Sequence, residues 1–157
     1  MSNPSQIQIP HYQQIRDGYC LPACVQMILA ALGIKRSQQD LGEVMGTDPE
    51  SGTPGSRVLL LKSSSLDVDY REAEWSFLVS CLARHVPVIT LVNTKYLSYW
   101  KKATFHAVVI VGIDQAEEAV WIHDPDLRSG PTLLSRNEFE VAWVEMSSLS
   151  AIIEQRK

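Results

Sequence analysis

Between Leu21 and Leu32 the chain reads LPACVQMILAAL, a run in which Gln26 is the only strongly polar side chain. A helix that is apolar on nearly every side has to be enclosed, so the rest of the chain must wrap around it. Pro22 falls in the first turn, where its missing N–H removes no helix hydrogen bond, and Gly33 follows the last apolar residue, where a left-handed helix end is easiest for glycine. A chain of 157 residues can bury one well-developed core around such a helix, and a single domain over residues 1–157 is expected.

Other elements are readable on either side. Ser37, with Asp40 three residues on, marks a helix start leading through Leu41 and Val44. The loop-like cluster GTDPESGTPGS, residues 46–56, leads into SRVLLLKSSS, which predicts a further short helix. Trp75, Leu78, Val79 and Leu82 recur at helical intervals within 74–85. Beyond Pro87 the segments VITLVN, FHAVVIVGID and AVWIHD are short, rich in β-branched and aromatic residues, and bounded by turn chemistry, which predicts strands. Ser135 then opens an amphipathic helix in RNEFEVAWVEM, and LSAIIEQ returns as a last strand. Helices first and a mainly antiparallel sheet second give an α+β fold with a buried central helix packed on the sheet.

Composition narrows the function classes. A net charge of −4 with 45% hydrophobic and 20% charged residues argues against disorder and against nucleic acid held by a basic surface. Three cysteines are an odd number in a chain large enough to fold without disulfides, which favours a reducing compartment, and the cytoplasm is the expected location. The N-terminal stretch MSNPSQIQIPHYQQIRDG lacks the basic start and apolar run of a signal peptide. Nowhere do 18 apolar residues run together, so no membrane span is expected.

The strands at 105–114 and 119–124 can be paired by arithmetic. A three-residue loop at Asp114, Gln115 and Ala116 makes opposed positions sum to 230, so Val108 faces Ile122, Ile110 faces Val120, and His106 faces Asp124 at the mouth of the pair. Asp124 would then hold the Nδ1 proton of His106, a base with its orienter. A register one residue away opposes His106 to His123 instead, and Asp126 is a rival carboxylate. Cys20 stands at the start of the apolar helix, where the helix dipole and a nearby imidazolium would stabilise a thiolate. Cys20, His106 and Asp124 together have the logic of a nucleophile, base and orienter for covalent acyl transfer. The competing readings are an ordinary packed cysteine, the reading preferred for Cys24 and Cys81, or a zinc site from Cys20, Cys24 and a histidine. Four-ligand closure of such a zinc site has no second compact pair in this chain.

Gln14 lies six residues before Cys20, and the sequence continues as CLPACVQMILAALG, then FHAVVIVGID, then VWIHDP. In this order and spacing the chain resembles the papain-like cysteine peptidases whose best-known members remove double-glycine leaders from bacteriocins. The resemblance spans most of the chain. It implies a papain-like fold, with Cys20 as nucleophile, His106 as general base, Asp124 as orienter and Gln14 as the side-chain donor of the oxyanion hole. Gln13 is the neighbouring alternative for that donor. Leu21 stands where that family usually has glycine after the nucleophile. Neither membrane spans nor a P-loop is present, so a free-standing relative of the transporter-linked members is expected. A peptide or protein substrate is implied, with no cofactor and no metal. An acyl or amide transferase, or a peptide-binding module on the same fold, is the alternative. Tyr96, Tyr99 and Trp100, just before the His106 strand, could form an aromatic wall beside the cleft or simply pack under a loop.

Overall fold

In the computed structural model, which describes residues 6–157, the apolar run forms helix α1, Cys20–Ala31. The first five residues of the N-terminal stretch read above for a signal peptide lie outside the described residues. From Leu21 to Leu29 only Gln26 escapes full burial. At about 1.5–3 kcal/mol for each large apolar side chain removed from water, this helix is a major contributor to the core. Gly33 adopts φ 81° just past its end, the conformation that residues with a Cβ avoid.

Helix α2 spans Gln38–Met45, capped by the Ser37 hydroxyl, which accepts the Asp40 N–H at 3.1 Å, and closed by Gly46 at φ 68°. The segment Gly55–Leu61 is a 3-10 helix. Strand β1 then runs Leu66–Glu72, helix α3 Trp75–Ala83, strand β2 Val88–Asn93, strand β3 Phe105–Asp114, strand β4 Ala119–His123, strand β5 Thr132–Ser135, helix α4 Arg136–Val144 and strand β6 Leu149–Gln155. The Ser135 hydroxyl accepts the Glu138 N–H at 3.1 Å and starts α4. Strands β1 and β5 were not anticipated. LDVDYRE does alternate apolar with charged residues, as a half-buried strand should, whereas TLLS is too short to show a period.

The six strands form one sheet in the order β1-β6-β2-β3-β4-β5, and every pairing is antiparallel. Alternation along the strands sends side chains to two cores. Ala107, Val109 and Val111 of β3 meet α1, α2 and the 3-10 helix on one face. Val108 and Ile110 meet α3 and α4, including Leu82, Phe139 and Trp143, on the other.

The β3–β4 register departs from the sequence arithmetic. The loop runs over residues 115–118, and the pairs are Asp114 with Ala119, Ile113 with Val120, then, past a bulge, Ile110 with Ile122 and Val109 with His123. Near the mouth the opposed positions therefore sum to 232, two more than expected. A shift of two preserves the face on which each side chain lies, so His106 and Asp124 stay on one face as diagonal rather than direct neighbours. The bulge leaves Val111 without an opposed partner in β4, and at the adjoining Gly112 a Cβ would lie 3.0 Å from the Trp121 ring.

Candidate active site

Helix α1 begins without a side-chain cap: Tyr19 occupies the N-cap position and its side chain accepts nothing from the first turn. The N–H groups there remain available, and the positive end of the helix dipole is open where Cys20 stands. The chain reaches that point through Gly18 at φ 88°, a tight turn against which a Cβ would meet the Pro49 carbonyl at 2.6 Å. Cys20 is half-buried and unpaired. Burial opposes its ionisation, but a hydrogen bond and charge from His106, with the N–H groups of Ala107 and Leu21, bring the thiol below its ordinary value.

His106 enters on β3, 6% exposed, and its Nε2 lies 2.6 Å from Oδ1 of the fully buried Asp124, the first residue beyond β4. This corrects the expectation that Nδ1 would face the acid. From a diagonal position the carboxylate is reached by the far nitrogen of the ring, which leaves Nδ1, nearer the backbone, for the Cys20 sulfur. Burial works against an imidazolium here, but Asp124 and Cys20 outweigh it and push the His106 pKa up to about 10. Asp124 is held below the usual carboxylate range: burial would raise it, and His106, Tyr99 and the Asp126 N–H more than compensate.

That carboxylate has four partners. Oδ1 also accepts the Asp126 N–H at 2.9 Å, while Oδ2 accepts the Tyr99 hydroxyl at 2.5 Å and the Trp100 indole N–H at 2.9 Å. Trp100 also packs edge-on to His106 with ring centroids 4.7 Å apart. Tyr99 and Trp100, read from the sequence only as an aromatic wall, are thus donors to the buried acid. Their place just before β3 is the only sequence signal for this. The rival Asp126 is exposed and reaches Asp124 through its backbone N–H.

Gln14 lies on the loop leading to α1, with its backbone N–H donating to the Pro125 carbonyl at 2.7 Å. Its side chain lines the same cleft as Cys20 and His106, a cavity of about 890 Å³ whose walls include Trp100 and the exposed Phe105. The side chain of its neighbour Gln13 is instead exposed and donates to the Asp126 carbonyl at 3.2 Å. Cys24, one turn below Cys20, is wholly buried and donates its S–H to the Ala107 carbonyl at 3.4 Å, and Cys81 is on the buried side of α3. Burial pushes both thiols up. Among the described residues no three His, Cys, Asp or Glu side chains gather as a metal site would require, and no helix is long and apolar enough to cross a membrane.

Solved structures share this fold. One, a protein from Bacillus anthracis described as a C39-like peptidase, is 18% identical, covers 97% of this chain and 98% of its own, and superposes with a TM-score of 0.77. The peptidase domain of Streptococcus ComA, a bi-functional ABC transporter involved in a quorum-sensing pathway, is 21% identical over 93% of this chain and 98% of that domain, TM-score 0.74. A double glycine motif protease from an AMS/PCAT transporter, in complex with the leader peptide, is 18% identical over 96% and 94%, TM-score 0.73. No curated protein sequence matches the chain. The model of the Peptidase_C39 like family matches residues 6–151, nearly the whole of the chain whose papain-like fold is described above, and the protein belongs to that family.

Proposed function

We propose that this protein is a cysteine peptidase, a single peptidase domain over residues 1–157 that hydrolyses a peptide bond through a thioester acyl-enzyme. The observation that carries this reading is His106, bonded through one ring nitrogen to the buried Asp124 and turned through the other to Cys20 at an uncapped helix start. A lowered thiol beside a raised imidazole describes a thiolate–imidazolium pair ready before substrate arrives. The thiolate attacks the substrate carbonyl carbon, and the electron pair of the C=O moves to oxygen. The Cys20 N–H and the Gln14 side-chain amide hold that oxyanion. As the C–N bond breaks, His106 gives its proton to the departing amine, leaving the thioester. Water then attacks the thioester, His106 takes its proton, and the acid is released with the thiolate restored. Asp124 keeps the ring oriented and its positive charge stabilised throughout.

The bound leader peptide in the double-glycine protease neighbour supports a peptide or protein segment as substrate, in the manner of the bacteriocin-processing enzymes. Three unpaired cysteines support work in a reducing compartment such as the cytoplasm. The test is incubation with a mixed peptide library, with cut sites read by mass spectrometry. Cleavage by the protein and none by Cys20→Ser is the expected result. Equal cleavage by both, or none by either, would refute the reading.

A further inference from the structure

Gln38, in the first turn of α2, is 4% exposed, and a buried amide is costly unless its polar atoms are bonded. Its Oε1 accepts the Ile15 N–H at 2.9 Å, and its Nε2 donates to the Gln13 carbonyl at 2.9 Å and to Oε1 of Gln26 on α1 at 2.9 Å. These partners dictate the amide's orientation, because a backbone N–H can only donate and a carbonyl can only accept. The two backbone groups held this way belong to the residues on either side of Gln14. A third tie runs from the Gln14 N–H to Pro125, next to Asp124. The main chain around Gln14 is therefore anchored to α2, to α1 and to the segment carrying the acid. Its own side-chain oxygen, by contrast, is buried with no partner among the described residues.

We infer that Gln38 is a positioning residue for the reaction: by clamping the backbone on both sides of Gln14 to α1, the helix that carries Cys20, it sets the Gln14 amide against the oxyanion. This rests on the oxyanion role proposed for Gln14. A donor has to stand about 2.7–3.1 Å from the developing charge, and a misplacement of about 1 Å can cost on the order of 10²-fold in rate. Three hydrogen bonds from one buried amide hold that position without touching substrate.

The test compares two reactions of the Cys20 thiolate in the full chain. With p-nitrophenyl acetate the sulfur attacks the ester carbonyl, passes through an oxyanion and expels p-nitrophenolate, leaving an acetyl thioester. With iodoacetamide it displaces iodide and builds no oxyanion. The ratio of the two rates, each corrected for the Cys20→Ser background, isolates oxyanion stabilisation from thiolate supply and from general loss of structure. Gln38→Met should lower the ratio roughly tenfold or more. Gln38→Asn, which keeps an amide but is one methylene too short to reach the loop, should do the same and decides the matter if Gln38→Met does not fold. Gln14→Ala should lower the ratio at least as far, and adding Gln38→Met to it should change nothing further beyond about twofold, since both act through one group. A drop in Gln14→Ala with an unchanged ratio in the folded Gln38 variant, or losses that simply multiply, would overturn the role of Gln38 and leave that of Gln14 intact. An unchanged ratio in Gln14→Ala would overturn the oxyanion reading, and this inference with it.

Discussion

A thiol packed among apolar side chains keeps its proton, and Cys24 and Cys81 are both pushed up by burial in this way. Cys20 differs in being partly exposed and in what touches it: a helix start with free N–H groups and an imidazole whose other side is held by a carboxylate. Iodoacetamide at neutral pH should therefore label Cys20 well ahead of the other two, and His106→Ala should slow that labelling, as peptide mapping would read. Equal labelling of all three thiols would contradict the proposed pair. Asp124→Asn should leave the chain folded while lowering kcat roughly 10²- to 10⁴-fold, because an amide facing Nε2 favours the wrong tautomer at Nδ1. A kcat within about twofold of the parent would remove Asp124 from the mechanism. At this scale the sequence made Cys20 at a helix start and His106 and Asp124 on one strand face legible, since a helix edge and strand parity are local properties. The fold alone brings that helix start to the strand mouth. Which nitrogen faces the acid was not legible, because it depends on a register shift of two and on how far a ring reaches.

The elements divide by how much of their signal is local. Helices α1, α2 and α4 announce themselves through apolar spacing, with Gly33 ending α1 and Ser37 and Ser135 bonded to the first turns they start. Strand β1 alternates visibly yet is partnered only by β6 from the far end of the chain, and β5 acquires its identity only from pairing with β4. The stretch between β2 and β3 carries no periodicity. Its role comes from placing the Tyr99 and Trp100 donors on Oδ2 of Asp124. Tyr99→Phe removes a bond to a charged, buried acceptor, and it should cost about 1.5–3 kcal/mol in urea unfolding and slow p-nitrophenyl acetate turnover as well. Ser135→Ala removes only a helix cap, and it should cost about 1 kcal/mol with turnover unchanged. Equal effects on turnover would mean that the Tyr99 bond serves stability alone.

Over the whole molecule, the shifted His106 and Cys20 link folding to pH. The raised pKa of His106 contributes stability that is complete below its ordinary 6.5 and is lost as pH rises through about 10. The lowered Cys20 works in the opposite sense, contributing above its ordinary 9.0 and losing that contribution as pH falls through its folded value. The two contributions run in opposite senses, His106 losing its share as pH rises and Cys20 gaining its own up to 9.0, so together they blunt the pH dependence that the raised imidazole would impose alone. The decline of the urea midpoint between pH 6.5 and 9.0 should therefore be shallower in the parent protein than in Cys20→Ser, where no thiol offsets the raised His106. Identical profiles for the two proteins would exclude the pair. Such coupling needs the site enclosed, which the two cores on either side of the sheet accomplish. The sequence by itself determined the buried helix, the α+β class and the residue types at the helix start and strand mouth, since propensity, periodicity and parity act over a few neighbouring residues. Only the tertiary structure decided the strand order, the bulged register, the four partners of Asp124 and the hold of Gln38 on the Gln14 loop. Each of those joins groups far apart along the chain, and no local preference of either partner reveals the other.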